Sequence, residues 1–116
     1  ALRNALEADR VVADIEALRG LRRGLIRVCC SAGFAIEFLP KAMAQFREQH
    51  PGMQFHLRVA APAAVTQAVL NTEADIGLTY SRTAERDIEL QTLAGRTLPE
   101  GVRAFIAHLR QQLPPT

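Results

Sequence analysis

Hydrophobic positions along this chain change their period several times, and each change marks an element. Leu25–Cys30 (Leu-Ile-Arg-Val-Cys-Cys) is a short apolar run, β-branched at Ile26 and Val28, which predicts a covered strand. Beyond Ser31-Ala32-Gly33, apolar residues recur at Ile36, Leu39, Met43 and Phe46. That 3-4-3 spacing predicts a helix, stopped by His50-Pro51-Gly52. Met53 to Val59 alternates Met, Phe, Leu and Val with Gln, His and Arg, the pattern of a strand with one covered face. Ala63–Leu70 reads as a second helix and Asp75–Tyr80 as a third strand. Strands separated by such helices predict βαβ crossovers and a parallel sheet, with Leu25–Cys30 central and helices on both faces. Ligands of such sheets bind beyond the carboxyl ends of the strands, here Cys30-Ser31 and Thr79-Tyr80.

The flanks are less regular. Ala8, Val11, Ile15 and Leu18 keep the spacing of a coiled-coil seam, with Glu7 and Asp14 alternating with Arg3 and Arg10. A helix over residues 1–20 is expected, packed on its own domain or self-associating through that seam. The pattern opens without a cap residue, as in a helix cut from a longer one. After Tyr80, polar residues 81–87 read as a loop and Ile88–Leu93 as a fourth strand. Gly95–Gly101 is turn chemistry. Val102, Phe105, Ile106, Leu109 and Leu113 form an amphipathic helix that Pro114-Pro115 ends. The expected core comprises Ile26, Val28, Leu39, Met43, Phe46, Phe55, Leu57, Val65, Val69, Ile76, Leu78, Phe105, Ile106 and Leu109.

Composition narrows the class. The 116 residues suffice for one domain, and 48% apolar with 22% charged residues is the balance of a globular protein. A net charge of +2, from 14 basic and 12 acidic residues, does not by itself argue for nucleic acid. The early arginines Arg3, Arg10, Arg19, Arg22, Arg23 and Arg27 read as a solvated helix end and loop. No apolar run reaches membrane-spanning length and no export signal opens the chain, so a cytoplasmic protein is expected. Two adjacent cysteines, Cys29 and Cys30, make no disulfide framework.

Candidate chemistry is thin except for binding. His50, His56 and His108 fall in three elements, and adjacent strand thiols point to opposite faces, so no metal site is expected. Ser31 lacks a G-x-S-x-G setting and a histidine at another strand end, so no catalytic residues are expected either. Phosphate loops and nucleotide fingerprints are absent, and no cofactor is implied. Ser31, Ala32 and Gly33 place backbone N–H groups and one hydroxyl at a helix start, where anions are favoured. Ser31 as a plain helix cap remains the alternative. Phe34 either lines a pocket or fills the core. Tyr80 offers a ring and a hydroxyl at the third strand's end.

These residues resemble the effector-binding region of the LysR-type transcriptional regulators. The likeness runs through Leu25-Ile26-Arg27-Val28, Phe38-Leu39-Pro40, Phe46, His50-Pro51, Val65, Val69 and Ala74-Asp75-Ile76-Gly77-Leu78. It closes with Leu98-Pro99-Glu100-Gly101-Val102-Arg103-Ala104-Phe105-Ile106, while Ala1 to Gly20 is similar to the end of the family's linker helix. The resemblance implies an α/β, parallel-sheet three-layer αβα lobe of the periplasmic-binding-protein-like type, with an N-terminal helix. Residues 1–20 would end the linker or dimerisation helix, and 21–116 would be lobe I. A small-molecule effector would bind between two lobes, against Ser31, Ala32, Gly33, Phe34, Ala61, Pro62, Thr79 and Tyr80. Self-association would run through Ala8, Val11, Ile15 and Leu18 and through the lobe, and DNA would be met only by a winged helix-turn-helix absent from this chain. The family's second lobe has no counterpart here, which places a seam near Ala94-Gly95. Gly33 stands where the family often has Ser or Thr, and Ala60-Ala61-Pro62 replaces a loop that often carries Gly and Ser or Thr. Both departures imply a less polar effector. The rival expectations are a lobe of a periplasmic-type solute-binding protein and a dimerisation module without a ligand.

Overall fold

In a computed structural model, residues 23–33, 38–80 and 88–112 are described. The expected helix over 1–20 with its seam residues, Phe34, Ile36, the 81–87 loop and Leu113 lie outside them. The elements run β1 (Gly24–Cys30), α1 (Leu39–Gln49), β2 (Met53–Val59), α2 (Pro62–Leu70), β3 (Ile76–Tyr80), β4 (Ile88–Gln91) and α3 (Glu100–Gln112).

The strands form one sheet in the order β2-β1-β3-β4. β1 pairs in parallel with β2 from Gly24↔Met53 to Cys30↔Val59, and with β3 from Val28↔Ile76 to Cys30↔Leu78. The central position expected for Leu25–Cys30 is the observed one. β4 runs antiparallel to β3, so the sheet is mixed at one edge. That strand stops at Gln91, short of the expected Leu93. Leu93 turns to pack against α2, and its carbonyl accepts the Arg96 N–H across a turn in which Gly95 has φ 80°.

Alternation along β1 divides the core into two layers. Ile26, Val28 and Cys30 face α1 and α3, where Leu39, Ala42, Phe46, Val102, Phe105 and Leu109 are buried with them. Phe105 contacts Phe46 and Phe55 edge-on, with ring centroids 5.2 and 4.8 Å apart. Cys29 faces the other way, onto Val65, Ala68 and Val69 of α2. This is the three-layer arrangement, and right-handed crossovers from a central strand place successive helices on opposite faces in this manner. Gly77 lets α2 sit close: a Cβ there would lie 2.8 Å from Val69 Cγ2.

Eleven residues of the expected core are fully buried, whereas Met43, Phe55 and Leu57 are only half-buried against it. Phe55 and Leu57 belong to β2, which among the described residues has a strand neighbour on one side only. Position in the sheet sets their exposure, and periodicity does not report position.

Candidate functional site

The three parallel strands bring their carboxyl ends to one edge. Two backbone hydrogen bonds continue the ladder past β1: Ser31 N–H donates to Leu78 C=O (3.1 Å) and Ala60 N–H to Cys30 C=O (3.0 Å). Ser31 is thereby fixed between the segment that opens α2 and the end of β3. Ala32 and Gly33 follow in helical conformation. Gly33 lies under the Tyr80 ring, where a Cβ would stand 3.1 Å from the Tyr80 hydroxyl oxygen. The Ser31 hydroxyl is buried without a hydrogen-bond partner, so the capping bond of the alternative reading is not made. Ala61 precedes α2 and also offers no side-chain acceptor, while Pro62 takes a first-turn position. Proline fits there because that N–H would be unpaired anyway. The remaining first-turn amides give this end of α2 a partial positive charge.

Pro62, Thr79 and Tyr80 also line an open groove of about 770 Å³ between α2 and β4. Of the expected site residues, the structure therefore joins Ser31, Gly33 and Tyr80 at the strand ends, and Pro62, Thr79 and Tyr80 in the groove. Ala32 and Ala61 sit exposed between these groups. Thr66, Leu70, Glu89 and Gln91 are among the other lining residues and are absent from the sequence-based expectation of the site. Thr66 Oγ1 donates to Gln91 Oε1 (2.9 Å), and Gln91 Nε2 reaches Glu89 Oε1 at 3.1 Å. The signals for them were present: Glu89 and Gln91 alternate on one face of a strand, and Pro62, Thr66 and Leu70 recur at helical spacing. What that spacing omits is that the two faces meet.

The opposite edge is closed by charge. Asp75, 3% exposed, receives the Arg27 backbone N–H on Oδ2 (3.0 Å) and the Arg27 guanidinium on Oδ1 (3.0 Å). Arg96 lies 2.8 Å from the same Oδ1. Burial pushes the Asp75 carboxyl up, but hydrogen bonds from Arg27 and Arg96 outweigh it and hold the group below the ordinary carboxylate range. Arg27, read from sequence as part of a solvated run, is in fact a buried-acid partner. The network ties β1, β3 and the segment before α3 together, at the far side of the sheet from Ser31.

Cys29 and Cys30 are fully buried, and burial raises both thiols, Cys30 to about 11. Burial disfavours the thiolate form of both. Among the described residues no group of three or more His, Cys, Asp or Glu is placed to hold a metal ion. No helix among them is long and apolar enough to cross a membrane.

A family model described as the LysR substrate binding domain matches residues 19–98. The chain belongs to this family. A curated relative, the probable HTH-type transcriptional regulator LrrA of Synechococcus elongatus, is 31% identical over 70 residues. That match covers 60% of this chain and 24% of the relative. Among solved structures, a Pseudomonas aeruginosa protein assigned to the LysR family of transcriptional regulators aligns with a TM-score of 0.50 at 25% identity. It covers 75% of this chain and 30% of that one. HinK, a LysR family transcriptional regulator from the same organism, aligns at 25% identity with a TM-score of 0.49, over 69% of this chain and 27% of HinK. This LysR substrate binding domain therefore spans about a quarter of the curated relative and under a third of these solved ones. The match favours a regulator's sensing domain over a lobe of a solute-binding protein.

Proposed function

We propose that this lobe holds a small metabolite against Ser31–Phe34, Ala61-Pro62 and Thr79-Tyr80, with a second lobe closing the site from above. The convergence of the three parallel strand ends on one edge, continuous with the groove beneath Tyr80, carries this reading. Backbone amides at the start of α2, the Ser31 hydroxyl and the Tyr80 ring supply few charges and much neutral surface. A moderately polar effector fits that inventory. To shift a regulator, the effector must bind one arrangement of the lobes more tightly than the other.

The regulator's other roles belong to the same proposal. Residues Ala8, Val11, Ile15 and Leu18, together with the lobe, mediate self-association; a helix-turn-helix domain contacts DNA. The protein works in the cytoplasm without catalysing a reaction. The second lobe joins near Ala94-Gly95, a reading that rests on the turn-rich sequence Gly95–Gly101 where the family carries that lobe.

The test starts from a thermal-shift screen of metabolites against the full-length regulator, followed by calorimetric titration of any hit. Tyr80→Phe and Ser31→Ala are each expected to weaken binding by about 2- to 10-fold, the value of one neutral hydrogen bond. A hit whose affinity is unchanged by both variants and by Thr66→Ala would remove the site from this edge.

A further inference from the structure

The groove between α2 and β4 is lined by a single charged residue, Glu89, and by no Lys, Arg or His. Gln91 holds that carboxylate in place. Its Nε2 donates to Glu89 Oε1 at 3.1 Å and lies 3.5 Å from Thr79 Oγ1, while its Oε1 accepts the Thr66 hydroxyl at 2.9 Å. The Gln91 amide is therefore occupied on both its nitrogen and its oxygen. What the polar wall still offers is acceptors, namely Glu89 Oε2 and the lone pairs of Thr66 Oγ1. Glu89 is exposed, and among the described residues it takes part in none of the ion pairs. The helix side of the groove is different in kind: α2 carries no charged residue, and its Leu70 is 56% exposed there.

We infer that this groove seats a primary ammonium group on Glu89, with the apolar body of the ligand along Pro62 and Leu70. The inference rests on the reading that the groove belongs to the effector site, and it names the effector's class: a small organic amine. An ammonium group has three donors and no acceptor, the complement of a wall that offers acceptors alone. Its charge answers the one charge of the groove, and a hydrogen bond to a charged group is stronger than a neutral one. A carboxylate or phosphate in the same place would face Glu89 without a cation to offset it. A neutral alcohol would satisfy one acceptor and leave the carboxylate's charge unanswered. Specificity then comes from the pairing of a fixed carboxylate with an uncharged opposite wall, the usual division of labour in small-molecule sites.

Amide chemical-shift titration of the full 116-residue chain tests it, with butylammonium chloride as the probe and 1-butanol and sodium butyrate beside it. Butylammonium is expected to give saturable shifts at Thr66, Glu89 and Gln91, with an affinity about 3- to 10-fold above that of 1-butanol. Butyrate should leave these amides unmoved. Glu89→Gln keeps the shape of the side chain and should erase the preference for butylammonium while leaving 1-butanol unchanged. Glu48→Gln, on the exposed face of α1, removes the same charge elsewhere and should alter neither. Added salt should narrow the gap between the two probes, because the groove is open to solvent. Equal affinities for butylammonium and 1-butanol in the parent chain would overturn the inference, as would a preference that survives Glu89→Gln or the lack of any saturable shift. The effector screen separates this from the reading beneath it. An effector weakened by Tyr80→Phe and Ser31→Ala but indifferent to Glu89→Gln would keep the site and overturn the amine class. Butylammonium held through Glu89, beside an effector indifferent to every variant at the strand ends, would uphold the cation seat and sink the placement of the effector.

Discussion

The two ends of this sheet solve opposite problems. At the amino-terminal end of β3, a buried carboxylate is shared by two guanidinium groups and a backbone amide, and every partner is specified. At the carboxyl-terminal end, Ser31 keeps a buried hydroxyl without a partner, and α2 begins with no side-chain cap. One end spends its polar groups on holding the strands together. The other leaves them available. Binding sites are drawn from regions where such interactions remain unmade, and stability must then come from elsewhere in the fold.

The contrast can be broken most severely from beneath. Phe105 packs edge-on against Phe46 and Phe55 in the core beneath the sheet, so Phe105→Ala is expected to cost about 3–5 kcal/mol. Denaturant unfolding followed by two probes should show both ends lost together. Asp75→Asn comes next, at roughly 2–3 kcal/mol at neutral pH, because charge-assisted bonds from two partly exposed arginines are lost. Hydrogen exchange should rise first in β3 and around Arg96, with the Ser31 end less affected.

Acid sharpens that second comparison. The Asp75 carboxyl lies below its ordinary value in the folded chain, so its contribution is fully present above the unfolded value of about 3.9. It is lost as pH falls through the lower folded value. Denaturation midpoints measured from pH 6 downward should therefore decline less steeply below about pH 4 in Asp75→Asn than in the parent. A parallel decline in the two would mean that Asp75 is not the group that titrates.

Smaller effects follow at the binding end. Gly77→Ala should cost roughly 1–2 kcal/mol, since its methyl would press on Val69 and Val65 and lift α2 from the sheet. Thermal melts would read this directly. Ser31→Ala should change stability by no more than about 0.5 kcal/mol, because the buried hydroxyl loses no bond when removed. A larger fall would show that Ser31 does cap a helix and that the two ends differ less than their geometry implies.

Periodicity placed the strands and helices, and the crossover rule ordered the first three strands, because Ile26, Val28, Phe46, Val65 and Phe105 are buried for local reasons of pattern; the antiparallel β4 at the edge was not ordered. It could not rank strands by their place in the sheet, which is why Phe55 and Leu57 are more exposed than expected. Nor could it join Asp75 to Arg27, 48 residues away, or to Arg96 beyond another strand. The strand-end residues were legible from the general rule for parallel sheets, whereas the groove needed Thr66 and Gln91 to meet, 25 residues apart. Contacts between distant polar residues leave no period to read.

The adjacent thiols have a practical consequence. Cys30 lies in the layer shared with α1 and α3, and Cys29 in the layer under α2. One thiol thus reports on each layer. Alkylation can reach either sulfur only when the helix above it departs, so the labelling rates of the two residues are separate clocks for the opening of the two faces. Equal rates would describe a lobe that opens as one body; unequal rates would reveal which helix leaves first.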